Sequence, residues 1–171
     1  MLNKKGFTIA EVLVSFSLIS IILASIISAT LFYRDRLKQE EIVTELNDFK
    51  NSVMKAVYDD IIYNKIERVE ACIGIRNCVN FIDSNKGSHP LNIVESNDGV
   101  YLYYGGIKFF LPDSDLKNEY EREDGTTIVE NVCDFIGGFE IESYDDKLYK
   151  VKLSFAHKDI DLHHDLLFVV S

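Results

Sequence analysis

The chain has 171 residues, with 18 Lys+Arg against 28 Asp+Glu, no Trp, two Pro and three Cys. With an apolar N-terminal run set aside, about 135 residues remain, the usual size of one domain with its own core. Past Tyr33 the balance is 16 basic against 27 acidic side chains. Such a surface repels phosphate backbones, which argues against direct nucleic-acid binding. There is no repeat or low-complexity stretch, so the part after Tyr33 reads as folded.

Near the start stands "KKGFTIAEVL", which leads into an apolar run that reaches Tyr33. From Val12 to Tyr33 lie 22 residues without a charge, enough for a helix of about 33 Å, which crosses a bilayer core of about 30 Å. Lys4 and Lys5 keep the N-terminal side in the cytoplasm, so the chain beyond the helix is outside. A secretory signal fits poorly, because Ile27-Ser28-Ala29 is a weak small-x-small site and an acidic residue sits at the head of the apolar run. A plain anchor accounts for the length but leaves Gly6 and Glu11 without a reason. A carboxylate there is costly, since an acidic residue at mid-bilayer is unfavourable by about 2.5 to 3.5 kcal/mol, less near the edge.

These residues resemble the N-terminus of type IV prepilins and pseudopilins: a short basic leader, Gly6, the aromatic Phe7, Glu11 as the fifth residue after the junction, and a long uncharged span. The resemblance implies a leader at 1–6, cut by a prepilin peptidase between Gly6 and Phe7, and methylation of the new Phe7 amine. It implies a transmembrane and filament-core helix over 7–33 and an extracytoplasmic pilin-like domain over 34–171. It also implies other pilin or pseudopilin subunits and an inner-membrane assembly platform as partners, with no cofactor. In a filament core of parallel helices, Glu11 of one subunit would meet the Phe7 amine of its neighbour, since charges at low dielectric are tolerated only when paired. The competing arrangement has Glu11 at the headgroup level, reaching water. No proline occurs between Met1 and Leu37, whereas many major pilins carry one there, so the resemblance leans towards a minor subunit.

On a helix, Ala10, Ser17, Ser20, Ala24 and Ser28 fall on one narrow face, a packing seam where small residues let membrane helices approach closely; scattered serines without such a role are the plain alternative. Residues 34–41 are polar nearly all round and read as an exposed neck. Beyond them Ile42, Leu46, Phe49, Val53 and Val57 form an amphipathic stripe facing a core. Asp60 breaks that pattern, so the helix should end or bend between Asp59 and Arg68.

The second half reads as β. "VNFID" and "LNIVES" are short strand candidates, and "VYLYYGGIKFFL" is two apolar runs around Gly105-Gly106, a strong hairpin signal. "PDSDLKNEYEREDG" reads as an acidic surface loop. "TIVENVCDFIGGFEIESY", "KLYKVKLSF" and "DLHHDLLFVV" supply further strands. The alternation of Tyr149, Val151, Leu153 and Phe155 marks an inward face. The expected fold class is α+β, a long N-terminal helix packed on an antiparallel sheet. Ile128, Asn131, Val132, Phe135, Phe139, Ile141 and Tyr144, with the two closing strands, resemble the larger minor pseudopilins of the J or W type, whose members sit in an initiating complex at the tip.

Catalytic chemistry finds little support, and the chain reads as a non-enzyme. His163 and His164 would point to opposite faces of a strand, a poor joint metal site. His89 and His157 fall in expected loops. Asp113, Asp115 and Glu119 lack the spacing of a twelve-residue calcium loop, so no metal site is expected. Neither a nucleophile elbow nor a phosphate loop is present. Three cysteines lie outside the membrane, where disulfides are permitted. One bond is possible, Cys72 to Cys78 or one involving Cys133, and one thiol is left over. Two functions remain: a filament subunit of a pilus, secretion or DNA-uptake system, or a single-pass anchored binding domain that never assembles.

Overall fold

The structure is a computed structural model that describes residues 8–121, 127–145, 148–160 and 162–171. Two compact units are distinguished, one up to Glu41 and one from Ile42 to Ser171. Helix α1, Ile9–Asn64, supplies residues to both. No Gly or Pro interrupts the sequence from Phe7 to Ile73, so nothing in the backbone chemistry breaks a helix. It ends at Asn64, and Lys65 directly after it takes a left-handed conformation at φ 51°. In the first unit every described residue is exposed, including the neck over 34–41.

The second unit is an α+β body. Ile42, Leu46, Phe49, Val53 and Val57 of α1 are buried and belong to one hydrophobic core with the strands. A five-stranded antiparallel meander runs in the order β1 (Ile66–Ala71), β2 (Cys78–Asp83), β3 (Ser88–Ser96), β4 (Gly99–Tyr104) and β5 (Ile107–Phe110). Next along the chain, β6 (Lys117–Glu121) and β7 (Thr127–Asn131) form a two-stranded ribbon. The last sheet, also antiparallel, is built from β8 (Cys133–Asp145), β9 (Leu148–His157) and β10 (Leu162–Val170), with β9 central.

Aromatic contacts tie these layers together. Phe49 meets Phe155 edge-on at 5.4 Å and Phe135 at 6.3 Å. Phe81 of β2 meets Phe168 of β10 at 6.2 Å, and Tyr58 of α1 meets the same ring at 6.1 Å. On β9 Val151, Leu153 and Phe155 are fully buried, because alternate side chains of a strand share one face.

The turn chemistry explains the connections. Gly105 and Gly106 take φ 56° and 84°, the pair of positive values that a tight primed hairpin turn needs, and Tyr104 pairs with Ile107. Gly137, at φ 70°, lies where the register of β8 slips between Ile136 and Glu140.

Two local expectations change, and one strand goes unforeseen. The acidic segment is not simply a loop, since Lys117–Glu121 pairs with Thr127–Asn131; alternation of Asn, Glu and Tyr carries no apolar signal, so the ladder is hidden from a periodicity reading. β1 has the same defect, burying only Ile66 and Val69 in "IERVEA". His89 and His157 lie in strands β3 and β9 rather than in loops.

Candidate functional site

Gly6 and Phe7 lie outside the described residues. The site therefore begins at Thr8, the residue before the first turn of α1. The Thr8 N–H donates to Glu11 Oε2 at 2.9 Å, its hydroxyl donates to the same oxygen at 3.0 Å, and its Oγ1 lies 3.3 Å from the Glu11 nitrogen, which donates to it. The Val12 N–H then donates to the Thr8 carbonyl at 3.2 Å, opening the helix ladder. This is a capping box, in which the first and fourth residues satisfy each other's orphan groups. Glu11 is thus not a bare charge in an apolar run. Both Thr8 bonds end on Oε2, and a carboxylate can take further donors on its other oxygen.

Thr8 escapes a reading that looks for charges and apolar runs, although Thr-x-x-Glu before an apolar run is a legible signature.

Along the helix, the proposed seam residues Ala10, Ser17, Ser20, Ala24 and Ser28 are all exposed. Ser17 Oγ donates to the Leu13 and Val14 carbonyls at 3.0 and 2.9 Å, and Ser20 Oγ to the Phe16 carbonyl at 2.9 Å. Ser25 and Thr30 turn back in the same way onto Ile21 and Ile26. Hydroxyls satisfied by their own backbone can sit in lipid or against another helix without a desolvation cost. Large apolar side chains surround them, with Phe16 70% exposed and Phe32 62%. This helix is long and apolar enough to cross a membrane, and its apolar window has no buried residue.

Among the described residues, the globular unit holds several polar clusters. Cys133 lies opposite His157 on the β8–β9 ladder, and His157 Nε2 is 3.3 Å from Asp113 Oδ2. A thiol, an imidazole and a carboxylate are the residue types of a nucleophilic triad. Here, however, Cys133 is fully buried, and burial, with Asp134 and Asp113 adding to it, pushes its thiol up to about 12. A reactive cysteine needs the opposite shift and access. His157 is also fully buried on its side chain, so the pair ties the turn at Asp113 to the end of β9.

His89 is held between carboxylates on both ring nitrogens, Asp60 Oδ2 at 2.8 Å from Nδ1 and Asp83 Oδ2 at 3.2 Å from Nε2. Tyr104 donates its hydroxyl to Asp60 at 2.5 Å, and Asn64 donates to the other Asp60 oxygen. Burial and the Asp60 carboxylate push the Tyr104 hydroxyl far above its ordinary range. This cluster joins the end of α1 to β2, β3 and β4. It explains why Asp60 interrupts the apolar stripe without ending the helix at that point.

As the strand geometry requires, His163 is exposed and His164 buried, the latter stacked on Phe155 at 5.4 Å. Among the described residues no group of three His, Cys, Asp or Glu side chains is placed to hold a metal. Cys72 and Cys78 form a disulfide and Cys133 is a free thiol. A cleft of about 550 Å³ is lined by Ile66, Glu67, Arg68, Ile82, Asp83, Ser84, Lys86, Tyr149 and Ser171.

Residues 1–27 match the family model described as the prokaryotic N-terminal methylation motif. The chain therefore carries a type IV prepilin-like signal, and the exposed apolar helix behind it fits a single-pass membrane anchor. Comparison with curated proteins and with solved structures found no match. The motif supports a type IV pilin-like or pseudopilin-like protein and points to a structural subunit.

Proposed function

We propose that this chain is a minor pilin or pseudopilin, a low-copy subunit of a type IV pilus or of a related secretion or competence pseudopilus, placed in the complex that initiates the filament at its tip. A prepilin peptidase removes residues 1–6 between Gly6 and Phe7 and methylates the Phe7 amine. Residues 7–33 hold the protein in the cytoplasmic membrane, and residues 34–171 lie outside. The inner-membrane assembly platform then passes the helix into a bundle with other subunits.

One observation carries the reading: the exposed, uncharged part of α1 from Val12 to Tyr33 follows a single carboxylate, and its first residues lie within the stretch matching the methylation motif. In lipid, Thr8 holds the Glu11 carboxylate. On assembly the free oxygen of that carboxylate receives the Phe7 amine of a neighbour, so that both charges enter the bundle neutralised. The seam of Ala10, Ser17, Ser20, Ala24 and Ser28 brings the helices close enough for the pair to form. The missing proline and the resemblance of the closing strands to the J or W type support the minor role.

Three measurements test this role. Intact mass of the membrane-extracted protein should show a chain beginning at methylated Phe7; retention of Met1 in peptidase-positive cells would refute processing. Glu11→Ala should insert normally but be depleted from sheared filaments. Deletion should reduce filament number more than length, with labelled protein at one end. Uniform labelling along the shaft would refute the tip role. Processed protein that never enters filaments would favour an anchored binding domain instead.

A further inference from the structure

Just beyond the apolar run, the neck of α1 carries two bands of charge. Arg34, Arg36 and Lys38 come first, with Asp35 among them, and Glu40 and Glu41 follow. All six are exposed. The Arg36 guanidinium lies over the Phe32 ring at 5.8 Å, a contact that orders the cation without neutralising it. Arg36, at the centre of the cation band, stands four residues before Glu40, and Phe7 stands four residues before Glu11. From Phe7 to Arg36 and from Glu11 to Glu40 the separation is therefore the same, 29 residues.

The equality has a consequence because one helix joins the two places. α1 runs unbroken from Ile9 to Asn64 with no Gly or Pro, so an axial offset set at its start is carried to the neck. In two parallel copies of this chain, the stagger that brings Glu11 of one level with Phe7 of the other also brings Glu40 level with Arg36. Arg34 and Lys38 of that second copy then lie only about 3 Å below and above the same level. At 3.6 residues per turn these two project to the side opposite Arg36, so the cation band meets a carboxylate from either side. Copies without a stagger would instead set like charges against each other, which is unfavourable.

The occupant is thus a second copy, since both bands are written in one sequence and complement each other. Single exposed ion pairs contribute little. A set of them in fixed order selects a register.

We infer that the neck, Arg34 to Glu41, is a self-contact site, in which Glu40 and Glu41 of one copy receive Arg34, Arg36 and Lys38 of a second copy staggered by four residues. One copy supplies carboxylates and the other cations, so the contact is heterologous and the two copies stand in succession. It rests on the assembly role proposed for the chain.

The test uses full-length protein in its native membrane, in two differently tagged forms. One form carries a photo-crosslinking residue at Leu37, which is 61% exposed in the middle of the neck. The expected result is an adduct between the two tags, attached near Tyr33 or Glu41 of the other copy, four residues away in either direction. Glu40→Lys with Glu41→Lys in both forms should lower that adduct roughly tenfold at equal membrane levels. Adding Arg34→Glu, Arg36→Glu and Lys38→Glu to both forms exchanges the bands and should restore the adduct with the same offset. A crosslinker at Val12 reports contacts of the assembly helix. Val12 adducts with proteins bearing a prepilin-like signal, but no Leu37 adduct between the tags, would overturn this inference and leave the assembly role standing. Attachment at Leu37 of the other copy, or only to lipid or to a different subunit, would overturn it equally. No Val12 adduct with any such protein would remove the assembly role and this inference with it.

Discussion

At the residue scale, the capping box converts Glu11 from a liability into a helix-starting group. Thr8→Val deletes both hydroxyl bonds and should weaken the first turn by about 1 kcal/mol. Amide exchange in micelles should quicken over residues 9–12 and stay unchanged beyond Phe16, whereas Thr8→Ser should keep the wild-type pattern. Equal protection in Thr8→Val would show that the box contributes nothing.

His164 offers a second test. Burial, and to a lesser degree the Lys50 charge, hold its imidazole below the ordinary range, with Asp165 opposing. Because its folded pKa is depressed, the unfolded chain binds more protons between the two values, so stability rises with pH in that window. The contribution is complete above about 6.5, the ordinary histidine value, and is lost as pH falls through the folded pKa. Unfolding midpoints in detergent should therefore drop between pH 7.5 and 5.5, and His164→Phe, which preserves the stack on Phe155, should show a smaller drop. An unchanged drop would remove His164 as its source.

At the element scale, the stripe of α1 is what seats the helix in the second unit. Leu46 is fully buried, and truncating such a side chain typically costs about 2 to 5 kcal/mol. Leu46→Ala should lower the unfolding free energy by that amount, while Lys55→Ala, at an exposed position off the stripe, should change it by less than about 0.5 kcal/mol. Comparable losses at the two positions would contradict the assigned face.

The β4–β5 turn is equally specific. At Gly106 the positive φ, rather than lack of space, excludes a side chain, since a Cβ there meets nothing within 4 Å. Gly106→Val should thus destabilise by about 1 to 2 kcal/mol through backbone strain alone, measured by chemical denaturation. Gly106→Asn, which tolerates the left-handed region, should recover most of it.

At the scale of the whole molecule, one chain combines two solvents. The unit up to Glu41 has no buried residue among those described, and the unit from Ile42 carries the entire core. Composition separates them because lipid requires an uncharged run, whereas the domain keeps its charges on the surface and its apolar side chains in periodic positions. The expected consequence is physical: Glu11→Ala removes a charge from lipid and should insert at least as well as wild type, so any loss from filaments must arise at assembly. Poor membrane fractionation of Glu11→Ala would break that argument.

Legible in the sequence were the long apolar helix, the stripe from Ile42 to Val57 and the Gly105-Gly106 hairpin. Each is written in local chemistry: the length of an uncharged run, a repeat near 3.6 residues, a pair of glycines where positive φ is needed. The clustering of Asp60, His89, Asp83 and Tyr104, the bond from Cys78 to Cys72 rather than Cys133, the strand within the acidic segment and the exposure of Ile73 emerge only in the folded chain. Those outcomes depend on which distant residues the sheets bring together. Polar partners carry no periodic signal along the chain, so their pairing exists only once the strands are in register.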